Sequence, residues 1–594
     1  MQTQLQRTIL WVVFGMSLVL LWDKWQSYNG HTSLFGAMTG QQAAKPAATG
    51  PGGANGTAAK GDATIPTAPP GTIPAAGTSG APANPPAGTA AGAPATAPAP
   101  TGQLLTLSND VLSLDIDTLG AQIKHSRLLA QKDTEKPDQP LVLLQDAPGR
   151  TYVAQSGLIG AAAGTSYPTH RTQFTAADGP RELKEGIPAV GLTLTAESGG
   201  VKLVRTYTLK RGAYVVDVKD EVTNQGTAPV KPTLYMQLVR TGTFATTNGA
   251  TANQFGIFSA LTQPASTYTG PVIYTDKGKF QKVDFSDIEK GKTSFEAAAP
   301  DGWAGIIQHY FVTAWIPTDK ATREYYADKV DANLYRVGAK EPLPEIAPNA
   351  STSVETQLLI GPQDQRMLEK VAPGLDLTVD YGWLTVIAKP IFWLLETLHR
   401  LVGNWGWAIV LLTLVIKTAF FPLQAASYKS MARMKAVTPR MTQIRERYGS
   451  DRVKMNQAMM ELYKEEKINP LGGCLPIVVQ IPVFIALYWV LLASVEMRNA
   501  PWALWIKDLS QPDPYYVLPL VMAITMFIQT KLNPTPPDPV QAKIMMIMPL
   551  VFSVMFFFFP AGLVLYWLVN NCYSIAQQWV ITRKIAGGGD KKKA

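Results

Sequence analysis

Hydrophobic and polar positions follow several different regimes along this chain, and each regime predicts a different kind of element. Residues Thr8 to Trp22 form an uncharged apolar run between Arg7 and the pair Asp23 and Lys24. That length suits either a cleaved signal peptide or a short signal anchor. Trp22, Trp25 and Tyr28 follow at the spacing of an interfacial aromatic belt, and no small-residue cleavage site stands close behind. Residues 1–28 are therefore expected to be an N-terminal transmembrane anchor. Residues 29–103 change character: between Gln41 and Gly102 the chain is Ala, Gly, Pro and Thr, with only Lys45, Lys60 and Asp62 charged. Such a segment cannot bury a core and is expected to be a disordered tether.

Period-two alternation begins at Leu104. Leu112, Leu114 and Ile116 fall on one side of an extended chain, and Ser113, Asp115 and Asp117 on the other, as in a half-buried strand. Further runs at 201–210, 213–225, 232–242 and 352–362 are separated by Gly, Asn, Asp and Pro turns. The expectation for 104–365 is a large antiparallel β-sandwich. Next, in "DYGWLTVIAKPIFWLLETLHRLV" from residue 380, Glu396 and Arg400 lie within about 20° of Lys389, one on either side, on a helical projection. This predicts an amphipathic helix over 380–400 with Pro390 at its first position, lying at a membrane surface or packed as a structural helix.

Five apolar runs follow, at about 401–422, 471–495, 515–530, 544–559 and 561–581. Several fall short of the roughly 20 residues of an ordinary span, as in a locally thin bilayer. Charged residues make up 16% of the chain, against roughly 25% in soluble proteins, which agrees with a membrane location. The stretch 425–469 holds ten Lys and Arg against five acidic residues. The positive-inside rule places it in the cytoplasm, together with the basic tail 584–594. Six spans with both termini inside then satisfy the counts and put the β domain outside. The net charge of +9 comes without any nucleic-acid-binding motif. Two cysteines, Cys474 and Cys572, are too few for a metal site or a disulfide framework. No cofactor is expected.

Within 425–469, Met434, Val437, Met441, Ile444 and Tyr448 repeat at spacings of three and four. Gly449, Ser450 and Asp451 break the pattern, and Met455, Met459 and Leu462 resume it. Two helices folding back as a hairpin are expected, with Pro439 kinking the first. Its methionines, Met431, Met434, Met441, Met455 and Met459 among them, either pack the arms together or offer an adaptable apolar surface to varied partners. The most informative single residue is Lys417 in "GWAIVLLTLVIKTAFFPL", because a cation within a span costs about 2.5 to 3.5 kcal/mol. It either snorkels to the cytoplasmic end, roughly 7 Å away, or lines a hydrated indentation with Thr413, Gln480, Asn570, Asn571, Gln577 and Gln578. Each of these polar groups can alternatively satisfy a neighbouring backbone.

The segments "NWGWAIVLLTLVIKTAFFPLQAASYKSMARMKAVTPRM", "KINPLGGCLPIVVQIPVFIALYWVL", "APWALWIKDLSQPDPYYVLPL" and "KIMMIMPLVFSVMFFFFPAGLVLYWLVNN" resemble the core of the YidC/Oxa/Alb insertase family. The resemblance covers about 380–583, and the preceding anchor and β domain are similar to the long Gram-negative form. It implies a membrane α-helical fold of six transmembrane helices with a five-helix insertase core, a periplasmic β-sandwich and a cytoplasmic hairpin. It implies a non-enzymatic role as insertase and chaperone, through a hydrophilic groove with one positive residue, usually Arg. Lys417 stands at that place. Thr413, Tyr566 and Trp567 correspond to residues near clients, with Tyr common in the family where Trp567 stands. The implied partners are nascent membrane proteins, the Sec translocon (SecYEG, SecDF), the ribosome or signal recognition pathway, and the phospholipid bilayer, with a monomer as the working unit. A transporter or channel is the alternative, since intramembrane charge often marks an ion path.

Overall fold

A computed structural model describes residues 102–590 except 134–135, 137, 243–267, 449–450, 467–474, 533–542, 544–545 and 548–552. The expected anchor, nearly all of the tether, seven residues of the 544–559 run, the end of the tail, and the side chains of Met431 and Met434 lie outside the described residues.

Alternating segments from Leu104 onward pair into two antiparallel sheets. The first runs β1 (Leu104–Ser108), β2 (Leu112–Asp117), β3 (Gln122–Lys132), β6 (Arg150–Ile159), β11 (Thr233–Thr241), β18 (Leu334–Pro342), β17 (Arg323–Asp331), β14 (Ala298–Ala299). Two short strands, β4 (Pro140–Val142) and β5 (Gln145–Ala147), attach to β3 and β6. The second runs β13 (Lys279–Lys282), β12 (Gly270–Thr275), β15 (Trp303–Gln308), β16 (Phe311–Pro317), β19 (Ser351–Pro362), β10 (Val215–Asn224), β9 (Val201–Lys210), β8 (Ala189–Ser198), β7 (Thr175–Ala176). Leu114, Ile116, Leu234 and Leu238 of the first sheet meet Leu203, Val218 and Leu358 of the second in one core, so the domain is a β-sandwich.

Alternation is obeyed closely in β9, where Val201, Leu203, Arg205, Tyr207 and Leu209 all point inward. It fails in β2, which is buried at all six positions rather than half-buried. The polar face there is covered by partners: Thr106 Oγ1 donates to Asp115 Oδ1 at 2.8 Å, Lys124 pairs with Asp117 at 3.0 Å, and Arg127 pairs with Asp115. Strands β12 and β16 are also buried almost throughout. Val272, Trp303, Val312 and Leu359 on the far face of the second sheet share a core with Leu395, Ile409, Leu487 and Val564 of the helices. That face is therefore apolar where a solvated sheet would be polar.

The sandwich passes into helices through α1 (Gln365–Val371), whose first turn is capped by Asp364 accepting from the Met367 amide at 2.9 Å. Helix α2 covers Thr385–Val402. It starts five residues before Pro390, correcting the expected start. The carbonyl that Pro390 leaves without an amide belongs to the first turn, where Val386 is 85% exposed. Ala388, Ile391, Phe392 and Leu395 face inward, while Val386, Trp393 and Leu401 remain exposed. Its polar strip is docked: Lys389 pairs with Asp376 at 2.6 Å and Glu396 pairs with Arg366. Gly403 closes the helix in the left-handed region (φ 67°), its amide donating to His399 O at 2.7 Å.

After α2, among the described residues, come α3 (Trp405–Ala419), α4 (Phe421–Tyr448), α5 (Arg452–Glu465), α6 (Leu475–Ala493), α7 (Val517–Leu532) and α8 (Ala561–Asp590), and a short helix Phe285–Glu289 lies within the sandwich. Among the described residues no single helix is long and apolar enough to cross a membrane. The pair α3 and Phe421–Ser430, bent by 63°, meets that test together. Helix α4 continues directly from this bend into the first arm of the hairpin. Val437 and Met441 of α4 pack on Leu462 of α5, with Ile444, Met459 and Tyr463 around them, and Arg440 pairs with Glu466 at 2.8 Å. Asp451 caps α5 by accepting from the amides of Val453 and Lys454 at 3.1 Å each.

Candidate functional site at the junction of three helices

Asn404 fixes the start of α3, accepting from the Trp407 amide at 3.1 Å and donating to the carbonyls of Pro501 and Trp502. Thirteen residues on, Lys417 is buried, with 5% of its surface exposed. Its Nζ donates to Ser574 Oγ on α8 at 2.9 Å, and that hydroxyl donates to the Asn570 carbonyl one turn earlier at 2.8 Å. The Tyr428 side chain of α4 reaches the same serine. Among the described residues no carboxylate pairs with Lys417. An ammonium with a hydroxyl partner and no counter-ion in an apolar bundle is an unfilled demand for negative charge.

The surrounding polar groups divide by how well they are satisfied. Thr413, one turn from Lys417, is 1% exposed and donates to the Ile409 carbonyl at 2.7 Å, the local back-bond that neutralises a hydroxyl inside a helix. Asn571 is buried with its amide against Met522 Sδ at 3.5 Å. Gln577, three residues beyond Ser574, is 6% exposed and neither of its amide atoms has a partner. Gln424 of α4 is buried too, its Oε1 without a partner. The α3, α4 and α8 junction thus carries buried hydrogen-bonding capacity that the described residues do not use.

Other residues expected at the site lie elsewhere. Gln480 is half-buried on α6. Tyr566 is buried against Phe484 of α6, ring centroids 6.0 Å apart, and Trp567 meets the same ring edge-on at 4.4 Å and Phe556 at 5.4 Å. Asn570 contributes its carbonyl to Ser574. In the hairpin, Met441 and Met459 pack between the arms and Met455 is half-buried. Ser574, Tyr428 and Gln424 were missed by sequence reasoning. Ser574 lies four residues after Asn570 and eight after Tyr566, so helical spacing on α8 was the signal that could have found it.

Two family models divide the described chain between them. The YidC periplasmic domain matches residues 104–394, and the 60Kd inner membrane protein family matches 397–588. The membrane protein insertase YidC of Cupriavidus taiwanensis is 57% identical over 584 residues, covering 98% of each chain. The chain belongs to the YidC insertase family. YidC of Ralstonia nicotianae is 52% identical over 590 residues, 99% of each chain, and YidC of Burkholderia ambifaria is 53% identical over 591. A crystal structure of active YidC insertase with its first transmembrane domain resolved covers 80% of this chain and 91% of its own, at 18% identity and a TM-score of 0.36. Family membership brings with it a bacterial inner-membrane setting and a periplasmic β domain, and the sandwich described above is the part of the fold that the YidC periplasmic model spans.

Proposed function

We propose that this chain is a membrane protein insertase and chaperone of the inner membrane, working through a polar indentation among α3, α4 and α8 that opens to the cytoplasm and to lipid. Six spans with both termini inside, the sandwich in the periplasm and the hairpin in the cytoplasm make up the topology. The observation that supports this reading most is the buried Lys417 ammonium, held by Ser574 and by no carboxylate among the described residues. Lys417 attracts an acidic residue in the tail or loop of a client. Thr413, Gln480, Tyr566, Trp567, Asn570 and Gln577 contact the segment as it passes, and orphaned amides such as Gln577 supply hydrogen bonds to a backbone otherwise bare in hydrocarbon. The client's apolar stretch then leaves sideways into lipid, driven by burial of its own nonpolar surface. Hairpin methionines Met431, Met434, Met441, Met455 and Met459 receive emerging chains or a ribosome, and the Sec translocon shares the larger clients. No nucleotide loop of the GxxxxGK[ST] kind occurs in the sequence.

The test is insertion of a single-span client with an acidic tail into proteoliposomes. Lys417→Ala is expected to lower it about 5- to 30-fold, the worth of one charge contact of ~1 to 2 kcal/mol, while Lys417→Arg retains it. Equal insertion by Lys417→Ala and the parent would remove the electrostatic part of the mechanism.

A further inference from the structure

Among the described residues the β7–β8 edge of the second sheet is left largely open. Strand β7 covers β8 only at Leu194 and Thr195, and beyond it a single bond remains, from the Ala177 amide to the Thr193 carbonyl at 2.9 Å. Thr193 therefore turns its backbone toward this edge, and the two-residue repeat turns Gly191 and Ala189 the same way. Among the described residues nothing pairs with either of them there. The run Ala189-Val190-Gly191-Leu192-Thr193 has no charge and no proline, so it lacks the usual devices that keep an edge strand from pairing. Between it and the segment 178–182 lies an open cavity of about 300 Å³, bordered by Ile187. The cavity is also lined by Arg181, whose Nε is buried and has no partner among the described residues.

We propose that this slot is filled by the chain's own tether, as an added strand on β8. Between Gln41 and Gly102 the only bulky apolar side chains are Ile65 and Ile73, each in a Thr-Ile-Pro triplet, Thr64-Ile65-Pro66 and Thr72-Ile73-Pro74. Threonine and isoleucine favour extended backbone, and proline holds the residue before it there. Proline is tolerated in an edge strand because one side of that strand needs no amide. Thr-Ile-Pro supplies an isoleucine for the cavity and a carbonyl for the Gly191 amide. Ile73 lies 29 residues before Gly102, a mean coil distance of about 30 Å. Tethering at that length raises the local concentration to the millimolar range, so a weak strand addition suffices. The tether is then a spacer with a clasp, and the free length between membrane and sandwich is set by which isoleucine is seated.

The experiment is amide hydrogen exchange on the full chain in lipid nanodiscs. The parent is compared with Ile65→Ser/Ile73→Ser and with a variant lacking residues 60–78. Exchange in 189–193 is expected to be at least tenfold faster in both variants, with β9 and β10 unchanged. A synthetic peptide of residues 60–78, added at millimolar concentration to the deletion variant, is expected to restore the protection. Equal exchange across 189–193 in all three proteins overturns the proposal, and so does failure of the peptide to protect the deletion variant.

Discussion

At the scale of single residues, two buried cations illustrate opposite uses of charge. Arg205 is fully buried in β9 and forms a two-pronged pair with Asp220 on β10, Nε to Oδ1 at 2.7 Å and Nη2 to Oδ2 at 3.1 Å. Its demand is met, so the pair belongs to folding. Asp220→Ala leaves the guanidinium without its carboxylate and is expected to destabilise the sandwich by about 3 to 5 kcal/mol, read as a shifted midpoint in urea unfolding. Lys417 has no such carboxylate among the described residues, and in the function proposed above its charge is held for a client. Both were visible in the sequence as charges at inward or apolar positions. Lys417 stood out there because a cation in a long apolar helix has no local explanation, whereas Arg205 sits in alternation that treats any inward slot as apolar. Its partner lies fifteen residues away, across a strand pairing that local pattern does not reveal.

At the scale of elements, the hairpin and α2 show what local pattern can and cannot deliver. Spacing of Val437, Met441 and Leu462 predicted facing arms, and those residues do meet. Leu462→Ala is expected to cost about 2 to 3 kcal/mol locally, measured as faster exchange of α4 and α5 amides with the sandwich unaffected. In α2 the proline misled: Pro390 is tolerated five residues into the helix because the carbonyl it leaves unpaired, that of Val386, lies in the exposed first turn. Its other end was legible, since Gly403 ends the apolar run. Gly403→Ala meets no neighbouring atom within 4 Å, so the penalty is conformational alone, from φ 67°. It is expected to be about 1 kcal/mol, seen as fraying of the last turn in exchange.

At the scale of the molecule, the sandwich and the helical bundle share one core, and polar clasps join them at its rim. Arg498 donates to the Lys132 carbonyl at 2.7 Å and to Gln131 Oε1 at 3.3 Å, and lies over the Phe311 ring. His309 meets the Leu492 carbonyl at 3.0 Å. Arg498→Ala is expected to make the junction more accessible, with proteolysis between 362 and 385 several-fold faster and each part still folded. Acid acts on the sandwich itself. His170 sits against the Tyr235 hydroxyl at 2.6 Å, and burial, reinforced by Arg171 and Arg336, pushes its pKa down to about 4. Between pH 6.5 and 4 the unfolded chain takes up a proton that the folded one refuses. Stability is therefore full above pH 6.5 and falls by up to ~3 kcal/mol as pH drops through 4, which urea titrations at a series of pH values will register. The sequence indicated the sandwich but not this junction, because the apolar far face of the second sheet reads like any buried strand until the helices it rests on are known.

The bend at Phe420 gives the molecule mechanical leverage. Helix α4 runs for 28 residues with Pro439 inside it, a contour of about 42 Å at 1.5 Å per residue. Its fulcrum lies three residues past Lys417. A tilt of ~10° about that point carries the hairpin tip through roughly 7 Å while shifting atoms beside the fulcrum by under about 1 Å. A bulky object that pulls on the tip is thus geared down before its motion reaches the buried ammonium, and a small rearrangement around the ammonium is magnified at the tip.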